Sequence, residues 1–199
     1  MSKIIGVTGP TGSGKSLMSE LADRMGFFVI NCDTSARRAT YKGGALLKDL
    51  VDAFGEDILD EDGELNRKAL AAKGFKNERS TTLLNRISLP HISKFVRGEI
   101  KAAEEEYEVI ILDAPTLFES GLDAICDTVI AVLADEKVRL ARITERDSLT
   151  IEEAELRIGA GKDEDFYTSR TPYVIYNNSD AESFSDNATK LLKKLTGGK

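Results

Sequence analysis

The sequence predicts an α/β fold of three layers, a central parallel sheet with helices on both faces, and three observations carry that expectation. Short apolar runs recur at residues 4–8, 27–31, 109–113, 128–133 and 173–176, with the length and continuity of strands buried on both faces. Stretches of helical periodicity separate them, which is the alternation of an α/β sheet. The first run passes directly into Gly9-Pro10-Thr11-Gly12-Ser13-Gly14-Lys15-Ser16. That is a glycine, four residues, then Gly-Lys-Ser between a strand and a helix, the context a phosphate-binding P-loop requires. The fold expected is therefore that of a P-loop NTPase.

In such a loop Gly9, Gly12 and Gly14 let the backbone turn its N–H groups inward around a polyphosphate. The helix opening at Gly14 adds unpaired N–H groups and a partial positive charge. Lys15 supplies a mobile point charge for the β- and γ-phosphates, and the Ser16 hydroxyl is a ligand for Mg²⁺. Leu17 continues the helix.

The run 27–31 ends at Cys32-Asp33, and Asp33 admits two readings. It caps a helix over 34–39, or it stands at the end of the strand next to the P-loop strand, where ligands of open α/β sheets collect. In the second reading it accepts a proton from an attacking hydroxyl, holds Mg²⁺, or does both.

From 43 to 106 the pattern turns wholly helical, which reads as an insert whose cleft against the sheet is the acceptor site. Leu46, Leu47, Leu50, Val51 and Phe54 repeat at helical spacing and Gly55 stops them; Asn66 caps 67–73; Leu83, Leu84 and Ile87 form a further set. Pro90 is expected to open a new amphipathic helix through Ile92, Phe95, Val96, Ile100 and Ala103.

Asp113 ends a strand in the manner of a Walker B acid, acting on Mg²⁺ through water or simply closing the strand. Residues 114–119 form a loop, and Asp135 begins a helix reaching about Arg146. That helix carries Arg139, Arg142 and Arg146, read here as phosphate contacts because an acidic protein has to neutralise a triphosphate. Thr150 and Glu153 make a capping box for a second helix with Arg157. Residues 139–170 thus read as a helical lid. A strand at 173–176, a turn at Asn177-Asn178, a helix over 183–195 and a tail at 197–199 complete the nucleotide-binding core of 1–42, 107–138 and 171–199.

The formal charge of -7 over 199 residues argues against nucleic acid or an anionic membrane as main partner. Cys32 and Cys126 are the only cysteines, too few for a disulfide framework or a zinc site. With no stretch reading as a signal peptide before the first strand, and no apolar run long enough to span a bilayer, a cytoplasmic protein is expected. It should be a monomer or a weak homo-oligomer.

Taken together, these stretches resemble the dephospho-CoA kinase family. The resemblance lies in the residues from Val7 to Ser16, Asp33 with Ala36-Arg37, Phe54-Gly55 with Asp62-Gly63-Glu64-Leu65-Asn66-Arg67, Pro115-Thr116-Leu117-Phe118-Glu119, Arg142 with Arg146-Asp147, and Tyr173-Val174-Ile175 before Asn177. It implies transfer of a phosphoryl group from ATP to the ribose 3′-hydroxyl of dephospho-CoA, giving CoA and ADP. It further implies Asp33 as base, Lys15 and the loop residues Gly9, Gly12, Ser13, Gly14, Ser16 and Leu17 around ATP, and Asn177 near the adenine. Ser16, Asp33 and Asp113 would serve Mg²⁺; Arg142 and Arg146 would stabilise the transferring group. Arg37, Leu65, Arg67, Phe75, Pro115 and Leu117 would hold dephospho-CoA. The chain departs from the family pattern at Leu89-Pro90, where His-Pro is usual, and at Gly161 and Thr171-Pro172. The alternatives are another P-loop kinase acting on a nucleoside, nucleotide or small alcohol, and a GTP-dependent switch. The switch lacks its Asn-Lys-x-Asp stretch in this sequence.

Overall fold

The computed structural model describes residues 2–198; Met1 and Lys199, the latter the last residue of the expected tail, lie outside the described residues. The chain divides into two compact units, Met1–Ile30 with Ala102–Lys199, and Asn31–Lys101.

The first unit is built on a five-stranded parallel sheet in the order β2-β3-β1-β4-β5. Its strands are β1 Lys3–Thr8, β2 Phe28–Asn31, β3 Val109–Asp113, β4 Thr128–Leu133 and β5 Tyr173–Tyr176. In register, Val7 lies opposite Asp113 on one side and Ile130 on the other. The strand beside the P-loop strand is thus β3, and β2 is the edge, a correction to the order expected for the Asp33 strand. Burial explains it. All five residues of β3 are buried, which suits the sheet interior, whereas β2 is only partly buried and fits an edge.

Alternation across the pleat sorts the two faces. Ile5, Val7, Val109, Ile111, Ile130 and Val132 pack against Met18, Leu21 and Ala22 of α1 (Lys15–Arg24) and Phe184, Ala188 and Leu192 of α9 (Ala181–Thr196). On the other face Ala131 and Leu133 meet Tyr167 of α8 (Glu164–Thr168), with Phe118 and Phe166 beside them. Each such aliphatic side chain contributes about 1.5–3 kcal/mol through burial, so the sheet holds these helices whatever their intrinsic propensity. Between β4 and β5, α6 (Glu136–Asp147) and α7 (Ile151–Gly159) pack through Ile143, Ala154 and Ile158. The Thr150–Glu153 capping box is formed in both directions. The short α8 was not expected as a separate element; five residues hold no period, and its one local signal is Asp163, whose carboxylate caps it at Phe166.

The second unit holds α2 (Cys32–Ala39), α3 (Ala45–Phe54), α4 (Arg67–Gly74) and most of α5 (Glu78–Ala103). Leu46, Leu50, Ile58 and Leu84 form its core, with Ile87, Ile92 and Phe95 packed against them. Gly55 ends α3 at φ 92°, a backbone state that favours glycine, and Asn66 caps α4 through the Ala69 amide at 3.1 Å. Two expectations are corrected. Pro90 does not open a helix; it lies inside the single α5. The apolar face runs unbroken across it, from Leu84 and Ile87 to Ile92 and Phe95. Pro90 itself is exposed, which leaves the carbonyl one turn earlier accessible to water and lowers the cost of the missing hydrogen bond. Asp33 is not the cap of α2: Asn31 is, its side chain accepting the Thr34 amide at 2.9 Å.

Candidate active site

The phosphate loop follows β1 at the C-terminal edge of the sheet. Gly9, Gly12 and Gly14 have φ of 146°, 77° and 93°, which l-side chains rarely adopt. A Cβ on Gly9 would lie 2.0 Å from the Val132 carbonyl oxygen, and one on Gly14 would lie 2.0 Å from Asn177 Nδ2. Glycine is therefore needed at both for conformation and for space. Gly14 precedes α1 without any side-chain cap, so the helix offers its first amides to an anion. The Ser13 hydroxyl is buried with no hydrogen-bond partner among the described residues.

Side chains hold the loop by its carbonyls. Lys15 Nζ donates to Gly9 O at 2.8 Å and Pro10 O at 3.2 Å. Arg139 Nε donates to Thr11 O at 2.9 Å, and Arg142 Nη1 to Gly12 O at 3.4 Å. Asn177, 3% exposed, donates from Nδ2 to Ser13 O at 3.0 Å and accepts Arg142 Nη2 on Oδ1 at 3.2 Å. Sequence reasoning has Asn177 near an adenine; its side chain is engaged here in bracing the loop. Leu17 donates its amide to Gly14 O and packs against the core.

Oxygen-bearing side chains that could ligate a divalent cation stand on α1 and β3. Ser16 is exposed. Asp113 is 7% exposed and accepts the Ser19 hydroxyl at 2.9 Å, Ser19 lying one helical turn beyond Ser16. A hydroxyl and one carboxylate beside a phosphate site match Mg²⁺, which takes few protein ligands and completes its shell with phosphate and water. Ser19 escaped sequence reasoning, although its spacing of three from Ser16 was the available signal.

Farther along α6, Arg146 forms a two-point pair with Asp147, both contacts at 2.8 Å, and Arg157 of α7 reaches the same carboxylate at 2.6 Å. The Arg146 hydrogen bond holds the Asp147 carboxyl below its usual range. The loop residue Pro115 accepts the Thr8 hydroxyl at 3.2 Å. Leu117 is fully buried, and a Cβ on Gly6 would come within 2.6 Å of its Cδ2. Leu117 thus packs beneath the sheet, which corrects its expected place on a substrate surface.

In the second unit Asp33 is exposed in the first turn of α2. That helix is fastened to α5 through Glu99, which accepts Ser35 Oγ and Arg38 Nη1, each at 2.5 Å. Arg67 Nη2 donates to Arg37 O at 3.1 Å and to Thr40 Oγ1 at 2.8 Å. Burial, and then the charge of Arg37, lower the Arg67 pKa, so two guanidinium groups share one locality. Leu65 packs against the core of this unit, and Phe75 is 65% exposed. His91 pairs with Asp49 of α3 at 2.8 Å.

Cys126 yields a further test. Burial, with Asp123 and Asp127 nearby, pushes its thiol up to about 12 from 9.0. The native protein should therefore resist alkylation of this thiol at pH 8 and react fully in urea. Because the unfolded thiol ionises first, this group's contribution to stability falls as pH rises from 9.0 towards 12; a denaturant midpoint that rose over that range in wild type relative to Cys126→Ala would contradict the assignment.

Among the described residues no helix is long and apolar enough to cross a membrane. The family model described as CoaE, dephospho-CoA kinase, matches residues 3–183. The dephospho-CoA kinase of Corynebacterium glutamicum is 36% identical over 192 residues, covering 96% of each chain. That of Listeria innocua is 34% identical over 200 residues, covering 100% of each. Among solved structures, a Thermus thermophilus protein aligns with a TM-score of 0.80 at 28% identity over 98% of both chains. The dephospho-CoA kinase from Campylobacter jejuni aligns at 0.75 and 24% identity, over 100% of this chain and 99% of that one, a likeness of fold. With a phosphate loop braced at five carbonyls and a match that runs nearly end to end, the chain belongs to the dephospho-CoA kinase family.

Proposed function

We propose that this chain transfers the γ-phosphoryl group of ATP to the ribose 3′-hydroxyl of dephospho-CoA, the final step of coenzyme A synthesis. The observation that carries the reading is the glycine cradle of residues 9–16 with Lys15, in a chain matched by the dephospho-CoA kinase model over residues 3–183. Such a transfer requires mainly positioning and charge stabilisation.

In this reading Lys15 leaves its loop carbonyls for the β- and γ-phosphates, while the cradle amides and the N-terminus of α1 hold the remaining oxygens. Arg142, already turned toward the loop, neutralises charge on the transferring group. Arg146 does the same once it exchanges Asp147 for phosphate, leaving Arg157 on that carboxylate. Asp33 takes the proton of the attacking hydroxyl. Ser16 and Asp113, with Asp33, would hold Mg²⁺, which would supply positive charge to offset that of the phosphates. Arg37 and Arg67 suit the diphosphate of dephospho-CoA, and the exposed Phe75, Leu65 and Pro115 suit its less polar parts. The work divides into a core of 1–42, 107–138 and 171–199, an acceptor insert of 43–106 and a lid of 139–170. One chain carries every group named, so a monomer suffices, and the cytoplasm supplies the ATP.

A coupled assay of ADP release tests the acceptor. Dephospho-CoA should give turnover at least about a hundredfold above adenosine, AMP or shikimate, a difference of about 2.7 kcal/mol in transition-state binding. Preferred turnover of any of those three would replace the acceptor assignment.

A further inference from the structure

Arg139 is the one arginine of α6 whose side chain is buried, at 9% exposure. Its Nε holds Thr11 O at 2.9 Å, and its Nη2 is buried with no hydrogen-bond partner among the described residues. It takes part in none of the ion pairs formed among them. Burial lowers its pKa, opposed by Glu136 and Tyr167. A Cβ on Gly12 would lie 3.0 Å from the Arg139 carbonyl oxygen, so the loop rests directly on this turn of α6. A buried charge that makes no contact ion pair, and feels Glu136 only at longer range, costs stability in the free protein, and an apolar residue of similar length would cost less.

A peptide unit is planar and trans, so its C=O and the N–H that follows point opposite ways. Anchoring the Thr11 carbonyl on Arg139 fixes the direction of the Gly12 amide, just as Asn177 does for the Gly14 amide through Ser13 O. We propose that Arg139 is a positioning residue of the nucleotide site: it aims the Gly12 amide into the cradle, and the polyphosphate of the bound nucleotide balances its buried charge. Sequence grouping with Arg142 and Arg146 makes it a direct phosphate contact; the geometry instead makes it act through the loop.

The inference rests on the nucleotide-cradle reading of residues 9–16, and its test needs no acceptor. Calorimetric titration of a non-hydrolysable ATP analogue with Mg²⁺ into the full chain compares wild type, R139K and R139M. R139M should bind about tenfold more weakly or worse, and R139K should recover at least half of that loss on a logarithmic scale. The KM for ATP should rise by a similar factor in R139M while kcat stays within about threefold. The unliganded R139M should melt at or above the wild-type temperature, because a buried unpaired charge has gone; a purely structural arginine would lower that temperature and leave nucleotide affinity alone. R139Q carries the same test if R139M does not fold. Binding by the uncharged variant within about twofold of wild type, or an equal loss in R139K, overturns the inference. Absence of binding by wild type overturns the reading of the loop itself.

Discussion

Replacing Asp33 by Asn is expected to lower kcat about a hundredfold or more while leaving the KM for ATP within a few-fold, as for loss of a positioned base. The fold provides little reason for this carboxylate. Asn31 caps α2, and Glu99 fastens the helix through Ser35 and Arg38. What Asp33 adds to stability is its favourable place in the first turn, about 0.3–1 kcal/mol. A hundredfold in rate is about 2.7 kcal/mol, so a catalytic role and a helix-terminal role separate cleanly. Asn31→Ala is the matching control. It should cost about 1 kcal/mol of stability and leave kcat per folded molecule near wild type. If Asp33→Asn retained wild-type turnover, with stability lowered as in Asn31→Ala, the carboxylate would be structural and the proton acceptor would lie elsewhere.

Gly14→Ala should weaken nucleotide binding by about a hundredfold or more, about 2.7 kcal/mol. Two effects add. The left-handed φ of 93° costs an alanine about 1–2 kcal/mol, and the new methyl would sit 2.0 Å from Asn177 Nδ2. Asn177 must then leave, releasing both Ser13 O and the Arg142 guanidinium that it orients. Removing the obstacle gives a sharper test: in an Asn177→Ala background, Gly14→Ala should cost only the backbone strain. The double variant should therefore bind more tightly than the two single losses, added, would allow. Strict additivity, measured by titration with a non-hydrolysable ATP analogue, would show that Asn177 and Gly14 act independently.

Much of the fold could be read in advance because its signals are local. Apolar runs at 109–113 and 128–133 mark the central strands, Asn66 and Thr150 with Glu153 mark helix starts, and Gly55 marks a stop. Two kinds of signal misled. Pro90 carries a strong local preference that a continuous apolar face overrides, and Asp33 lies two residues from Asn31, an equally good cap, so residue type alone cannot choose between them. Leu117 falls within a stretch that matches the family pattern, yet its side chain is spent on packing against Gly6.

By itself the sequence determined the phosphate loop, the alternation of strands and helices, and the family, because each is written in neighbouring residues whose chemistry needs no partner from afar. Only the tertiary structure decided that β3 lies between β1 and β2, that Asn177 braces Ser13 from more than a hundred residues away, and that Arg139 is buried on Thr11 while Arg146 lies on Asp147. Strand order follows from which runs can be buried on both faces. The fate of each arginine follows from which carbonyl or carboxylate the packed helix brings within reach, and three arginines on one helix look alike until that packing is formed.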